Sequence, residues 1–234
     1  MKTLRYGPGE SQVADLYPPA ASTPPVVCLL HGGFWRLPHG RDQMDGMAAD
    51  LSRRGFAVLN IEYRRIGEPR VGWKEIARDV RASFTLVSEV ASSRYAVVGH
   101  SAGGQLALAC AGPDASLVVS LAGVTDLEEA ARTHMGAGAA QSLLGGGPEQ
   151  FPDRYADASP IRRLPRGARA VLIHGTLDDA VPVSQSRDYA SAARALGDPV
   201  SLIEIEAGGH MDFLDPGSPA CAKLRECLEV LRPG

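Results

Sequence analysis

The chain has 234 residues, a formal net charge of −3, 44% hydrophobic and 22% charged residues. That length and balance suit one globular domain with a large core and argue against a disordered chain or a fibre. So mild a charge gives no basic footprint for nucleic acid and no polybasic membrane patch.

No apolar run reaches the roughly 18 residues that span a bilayer, and Met1–Glu10 lacks the apolar core and cleavage site of a signal peptide. The cysteines Cys28, Cys110, Cys221 and Cys227 are scattered and form no C-x-x-C pair. Reduced thiols in a cytoplasmic chain are the expectation.

Taken in chain order, Leu4–Tyr17 is polar and turn-rich and predicts one or two edge strands. Ala20–Pro25 reads as a Pro-containing turn. Val26–Leu30 is continuously apolar, as a strand buried on both faces would be. Arg41–Arg54 carries Met44, Met47, Ala48 and Leu51 at helical spacing, and Gly55 suits its C-terminal cap. Phe56–Ile61 is the next strand. Trp73–Val90 is an amphipathic helix with Ile76, Val80, Phe84 and Val87 on one face. Tyr95–Val98 is a strand, and Gly103–Ala111 a helix of small residues. Leu117–Leu121, Ala170–Ile173 and Val200–Ile205 complete the strands; Ser184–Leu196 and Pro219–Leu231 are late helices, whose apolar surface could support a homodimer. Strands alternating with helices predict an α/β domain, a mostly parallel twisted sheet with helices on both faces. Between Gly123 and Pro160 the pattern breaks down among Gly136, Gly138 and Gly145–Gly147. Residues 124–160 are therefore expected to form a short lid or loop insert, not a second domain.

The strongest motif is Gly99–His100–Ser101–Ala102–Gly103, a G-x-S-x-G between a strand and a helix. A serine on such a strained turn is exposed for attack, and bulk two positions either side would obstruct it. His31–Gly32–Gly33–Phe34–Trp35 follows the first buried strand. Acyl transfer builds negative charge on a carbonyl oxygen, and backbone N–H groups must converge on it. Gly33, Phe34 and Ala102 are the candidate oxyanion donors, with Gly32 shaping the turn. His31 is expected to orient the loop by hydrogen bonds. Trp35 either lines the substrate pocket or packs.

His174–Gly175–Thr176–Leu177–Asp178–Asp179–Ala180–Val181–Pro182 follows a strand and offers a carboxylate. Asp178 holds the fifth motif position; Asp179 is expected to face solvent or cap the next helix. Gly208–Gly209–His210 follows the last strand and offers a base. The order Ser101, Asp178, His210 is that of a nucleophile-elbow hydrolase. No metal or organic cofactor is expected, because the six histidines lack H-x-x-x-H spacing and no G-x-G-x-x-G or phosphate-binding loop is present.

Together these motifs resemble the α/β-hydrolase superfamily, and within it the H-G-G-x-W branch of kynurenine formamidases and hormone-sensitive-lipase-like carboxylesterases. Glu62–Tyr63–Arg64 and Ala158–Ser159–Pro160 also resemble that branch, and the likeness runs from about Val26 to Phe213. It implies a serine hydrolase cleaving small acyl groups from an ester or an aryl formamide. Two other readings compete: a non-catalytic small-ligand-binding protein on the same fold, and a peptidase, which the lack of a large accessory domain makes less attractive.

Overall fold

The computed structural model describes residues 1–18, 24–90 and 94–232. Most of the turn expected at Ala20–Pro25 lies outside the described residues. Eight strands form one sheet in the order β1-β2-β4-β3-β5-β6-β7-β8. They are β1 (Lys2–Arg5), β2 (Val13–Tyr17), β3 (Val26–Leu30), β4 (Ala57–Ile61), β5 (Tyr95–His100), β6 (Leu117–Leu121), β7 (Ala170–Gly175) and β8 (Val200–Ile205). β1 and β2 pair antiparallel at the edge, β2 joins β4 antiparallel, and β4 through β8 run parallel. This is an α/β domain with a mostly parallel sheet, as the alternating pattern predicts.

The central strands are apolar on both sides because both faces are covered. Val26, Cys28 and Leu30 of β3 join one core, and Val27 and Leu29 the other. On the first face lie α2 (Trp73–Ser83), α3 (Ala102–Cys110), α4 (Leu127–Arg132), α5 (Met135–Leu144), α6 (Pro152–Ala158) and α7 (Ser184–Ala195). On the second lie α1 (Asp45–Arg53) and α8 (Pro219–Leu228). Ala220, Cys221, Leu224 and Leu228 of α8 are buried against the sheet; among the described residues after β7, Leu196, Met211 and Val230 are large exposed apolar side chains, with Leu177 in the loop that follows β7.

Two expected helices are tighter at one end. Arg41–Met44 is a 3₁₀ turn leading into α1, and Phe84–Val90 is 3₁₀ after α2. In the second case hydroxyls compete for backbone carbonyls three residues back: Ser83 donates to Val80, Thr85 to Ala82 and Ser88 to Thr85.

The segment 124–160 departs from expectation by being largely helical. Gly136, Gly138, Gly145 and Gly146 have positive φ and lie at the start or beyond the end of α5. Gly145 and Gly146 terminate α5, while Gly136, Ala137 and Gly138 form a left-handed kink in its first turn, and the helices bury Leu127, Ala139, Leu143, Leu144 and Tyr155. No helix among the described residues is long and apolar enough to cross a membrane.

Candidate active site

Ser101 sits between β5 and α3 with φ 55° and ψ −119°. A non-glycine residue there stores roughly 1–3 kcal/mol of strain, and the surroundings must enforce it. They do so on both sides. The Ser101 N–H donates to Leu121 O at 2.8 Å, which keeps the turn in register with β6. A Cβ on Gly99 would collide with the Gly103 carbonyl, and one on Gly103 with the Leu30 carbonyl. Chain crossing this close leaves Ser101 as the residue that projects. Its side chain heads α3, whose N-terminal dipole favours negative charge nearby.

Asp178 follows β7 and His210 follows β8, so all three motif residues lie beyond the carboxyl ends of strands in the parallel part of the sheet, with β6 between the serine and aspartate strands. The two loops are sewn together by Leu177 N–H to Gly208 O at 3.0 Å and Ala207 N–H to Thr176 Oγ1 at 2.9 Å. His210 Nδ1 lies 2.7 Å from Asp178 Oδ2. The second oxygen, Oδ1, accepts from Ala180 and Val181 N–H at 2.9 and 2.8 Å. Burial would raise the Asp178 pKa, but hydrogen bonds from His174, His210 and the Val181 N–H hold it well below the usual carboxylate range. Asp179 is exposed, and the start of α7 receives no side-chain cap. Of the two roles open to it, solvent exposure is the one found.

His174 was visible only as part of a motif. It is fully buried, 3.3 Å from Asp178 Oδ2, with Val181 O at 2.8 Å and Ser186 Oγ at 2.7 Å on its two nitrogens. His100 is also buried. Its Nε2 faces the His210 carbonyl at 3.0 Å and therefore carries the hydrogen, while Nδ1 has no partner. The two imidazole rings are 4.8 Å apart. Burial, reinforced by His210, pulls the His100 pKa down to about 3, so this ring is neutral.

The glycine-rich loop has three consecutive residues in the left-handed region: Gly33 at φ 97°, Phe34 at 54° and Trp35 at 57°. Among the described residues none of the Gly33, Phe34 and Ala102 N–H groups meets an acceptor. Bracing holds the loop open. His31 stacks on Tyr63 at 4.3 Å, and its carbonyl accepts from the Tyr63 hydroxyl at 2.8 Å. Trp35 is 2% exposed and donates from Nε1 to Gln105 Oε1 at 3.0 Å. Gln105 in turn donates to Ala158 O at 2.8 Å. Trp35 thus has the packing environment rather than an open pocket. Sequence reasoning passed over Gln105 because its partners lie 70 and 53 residues away.

A cavity of about 440 Å³ opens between the start of α2 and α5–α6, lined by Trp73, Leu143, Arg154 and Asp157 among others. None of the motif residues lines it.

The chain is 28% identical over 247 residues to esterase LipC of Mycobacterium tuberculosis, covering 92% of this chain and 60% of that protein. It is 32% identical over 106 residues to the kynurenine formamidase of Danio rerio, covering 44% and 35%. The chain thus spans less than two thirds of these curated relatives. Its fold matches the phosphonate-inhibited esterase B of Lactobacillus rhamnosis with a TM-score of 0.81 at 22% identity, over 98% of this chain and 84% of that one. The sequence pattern of the prolyl oligopeptidase family matches residues 43–225, and the chain belongs to that family.

Proposed function

We propose that the protein is a serine hydrolase that cleaves small acyl esters through an acyl-enzyme. The observation that carries this reading is the 2.7 Å Asp178–His210 hydrogen bond, together with a serine held at φ 55° beyond the carboxyl end of the same parallel sheet. With Nδ1 facing Asp178, His210 has Nε2 free to take the Ser101 proton. Ser101 Oγ then bonds to the acyl carbon, and the carbonyl electrons move onto its oxygen, where the Gly33, Phe34 and Ala102 N–H groups receive them. Collapse breaks the bond to the alcohol, which leaves with the proton from His210. Water, deprotonated by the same ring, releases the acid and restores Ser101. Asp178 holds the imidazole in the tautomer this needs and balances its transient charge. Residues 124–160 serve as a short lid, because the Phe34 ring occupies the space a side chain on Gly136 would need. We place the enzyme in the cytoplasm, in keeping with four free thiols.

The similarity to a kynurenine formamidase gives a second reading, cleavage of an aryl formamide. The test is kcat/KM for p-nitrophenyl acetate and butyrate beside N-formylkynurenine, with Ser101→Ala as blank. Ester turnover at least tenfold above formamide supports the first reading. The reverse ranking replaces it with the second, and turnover retained in Ser101→Ala removes both.

A further inference from the structure

Glu62, at the end of β4, is 5% exposed, and its carboxylate gathers groups from both sides of the glycine-rich loop. Oε1 lies 2.8 Å from His31 Nε2, immediately before the loop. Oε2 accepts the Arg41 N–H at 3.1 Å and lies 3.6 Å from the Arg41 guanidinium, just after it. Arg65 lies 3.3 Å from Oε1 and donates 2.7 Å to the His39 carbonyl. His39 matters because its Cβ and ring occupy the space where a side chain on Gly33 would go. The segment that abuts an oxyanion donor is thus tied to the same carboxylate as the histidine that precedes it.

Both ring nitrogens of His31 face acceptors, Glu62 Oε1 at 2.8 Å and the Gly32 carbonyl at 2.8 Å. Both Glu62 oxygens also accept backbone N–H groups, Tyr63 on Oε1 at 3.2 Å and Arg41 on Oε2 at 3.1 Å, so a carboxylate is the matching partner and an amide, with a single acceptor oxygen, is not. The arrangement is costly to build. A buried carboxylate would normally be destabilising, and the His31 hydrogen bond and nearby Arg65 hold its pKa below the usual range against burial. The ion pairs reach across three separate stretches of chain, and a fold needing only stability could fill this space with apolar side chains.

We propose that Glu62 is a positioning residue for the oxyanion hole, fixing the Gly33 and Phe34 N–H groups through His31 on one side and through Arg41, Arg65 and His39 on the other. The proposal rests on the serine hydrolase reading above. It predicts an effect on the developing oxyanion and not on ground-state binding.

The experiment compares wild type, Glu62→Gln, Glu62→Asp and Arg65→Gln with a control, Asp50→Asn, which removes a partly buried carboxylate paired with Arg54 and Arg225. The readouts are kcat and KM for p-nitrophenyl acetate, Ki for an alkyl trifluoromethyl ketone, whose serine adduct carries the same oxyanion, and Tm. Removing one oxyanion donor outright costs about 10²–10³ in kcat. Misplacing two should lower kcat roughly 10- to 100-fold in Glu62→Gln, with KM within about twofold and Ki weakened in the same proportion. Glu62→Asp should recover part of both, and Asp50→Asn should lower Tm alone. A folded Glu62→Gln with kcat and Ki within twofold of wild type overturns the proposal, as does a loss of kcat that leaves Ki unchanged. If Glu62→Gln does not fold, Arg65→Gln decides on the same criteria. A wild type that neither turns over the ester nor binds the ketone overturns the hydrolase reading and this proposal with it; an active wild type confines any failure to Glu62.

Discussion

At the scale of single residues, the strained serine turn and the buried aspartate–histidine pair each make a separate prediction. Ser101 is held at φ 55° by packing that its own side chain does not provide. Ser101→Gly should therefore abolish turnover and raise Tm. Relief of about 1 kcal/mol corresponds to roughly 2–4 °C for a domain of this size. A Tm that falls would show that the serine side chain contributes packing at the turn. The adjacent aspartates form a second contrast. Asp178→Ala leaves His210 Nδ1 and two backbone N–H groups without their acceptor, so kcat should fall at least 10³-fold. Asp179→Ala removes an exposed side chain and should stay within about twofold. Steady-state kinetics on the pair would reveal a one-residue misalignment at once, because the two effects would exchange places. Ser101, Asp178 and His210 were legible because each sits in a motif a few residues long. Glu62 and His174 were visible only as members of motifs and Gln105 not at all, because their roles come from partners that only the fold brings near.

At the scale of elements, the central strands were legible from unbroken apolar runs, since a parallel strand covered on both faces has no polar side to show. The segment 124–160 was not. Its glycines suggested loose chain, whereas Gly136 and Gly138 make a left-handed kink at the start of α5 and Gly145 and Gly146 end it. Two signals pointed the other way: Asp126, whose side chain accepts from Glu128 and Glu129 N–H, and Pro152 at the first turn of α6. The start of α5 is clamped to the glycine-rich loop by Arg36, which reaches the Gly136 and Ala137 carbonyls at 3.3 and 3.5 Å and Ser142 Oγ at 2.7 Å. Only the last is short, so the clamp is worth about 1 kcal/mol. Arg36→Ala should accelerate amide hydrogen exchange across residues 135–144 by roughly fivefold and leave β5 and β6 unchanged. Exchange equal to wild type there would show that the segment is held by its buried apolar face alone.

At the scale of the whole molecule, buried neutral His100 links the site to stability. Its folded pKa of about 3 lies below the usual 6.5. The unfolded chain therefore binds the proton more readily across that interval, and protonation favours unfolding. This contribution is fully present above pH 6.5 and declines as pH falls toward 3. At pH 5.5 the loss is about 1.4 kcal/mol. Denaturant unfolding of wild type and His100→Gln at pH 7.5 and 5.5 measures it: the wild type should lose about that much more. Equal losses would mean that His100 is solvated in the native state. The Asp178 carboxyl, held low, acts in a separate window, losing its contribution only as pH falls below the ordinary carboxylate range.

The central claim is that Ser101 is a nucleophile activated by His210. Its most direct test is mass spectrometry of the intact protein and its peptides after exposure to a fluorophosphonate probe. The account predicts one adduct per chain, on the peptide containing Ser101, absent in Ser101→Ala and slowed at least 10³-fold in His210→Ala. A folded wild type that takes up no probe, or takes it up on another residue, would contradict it.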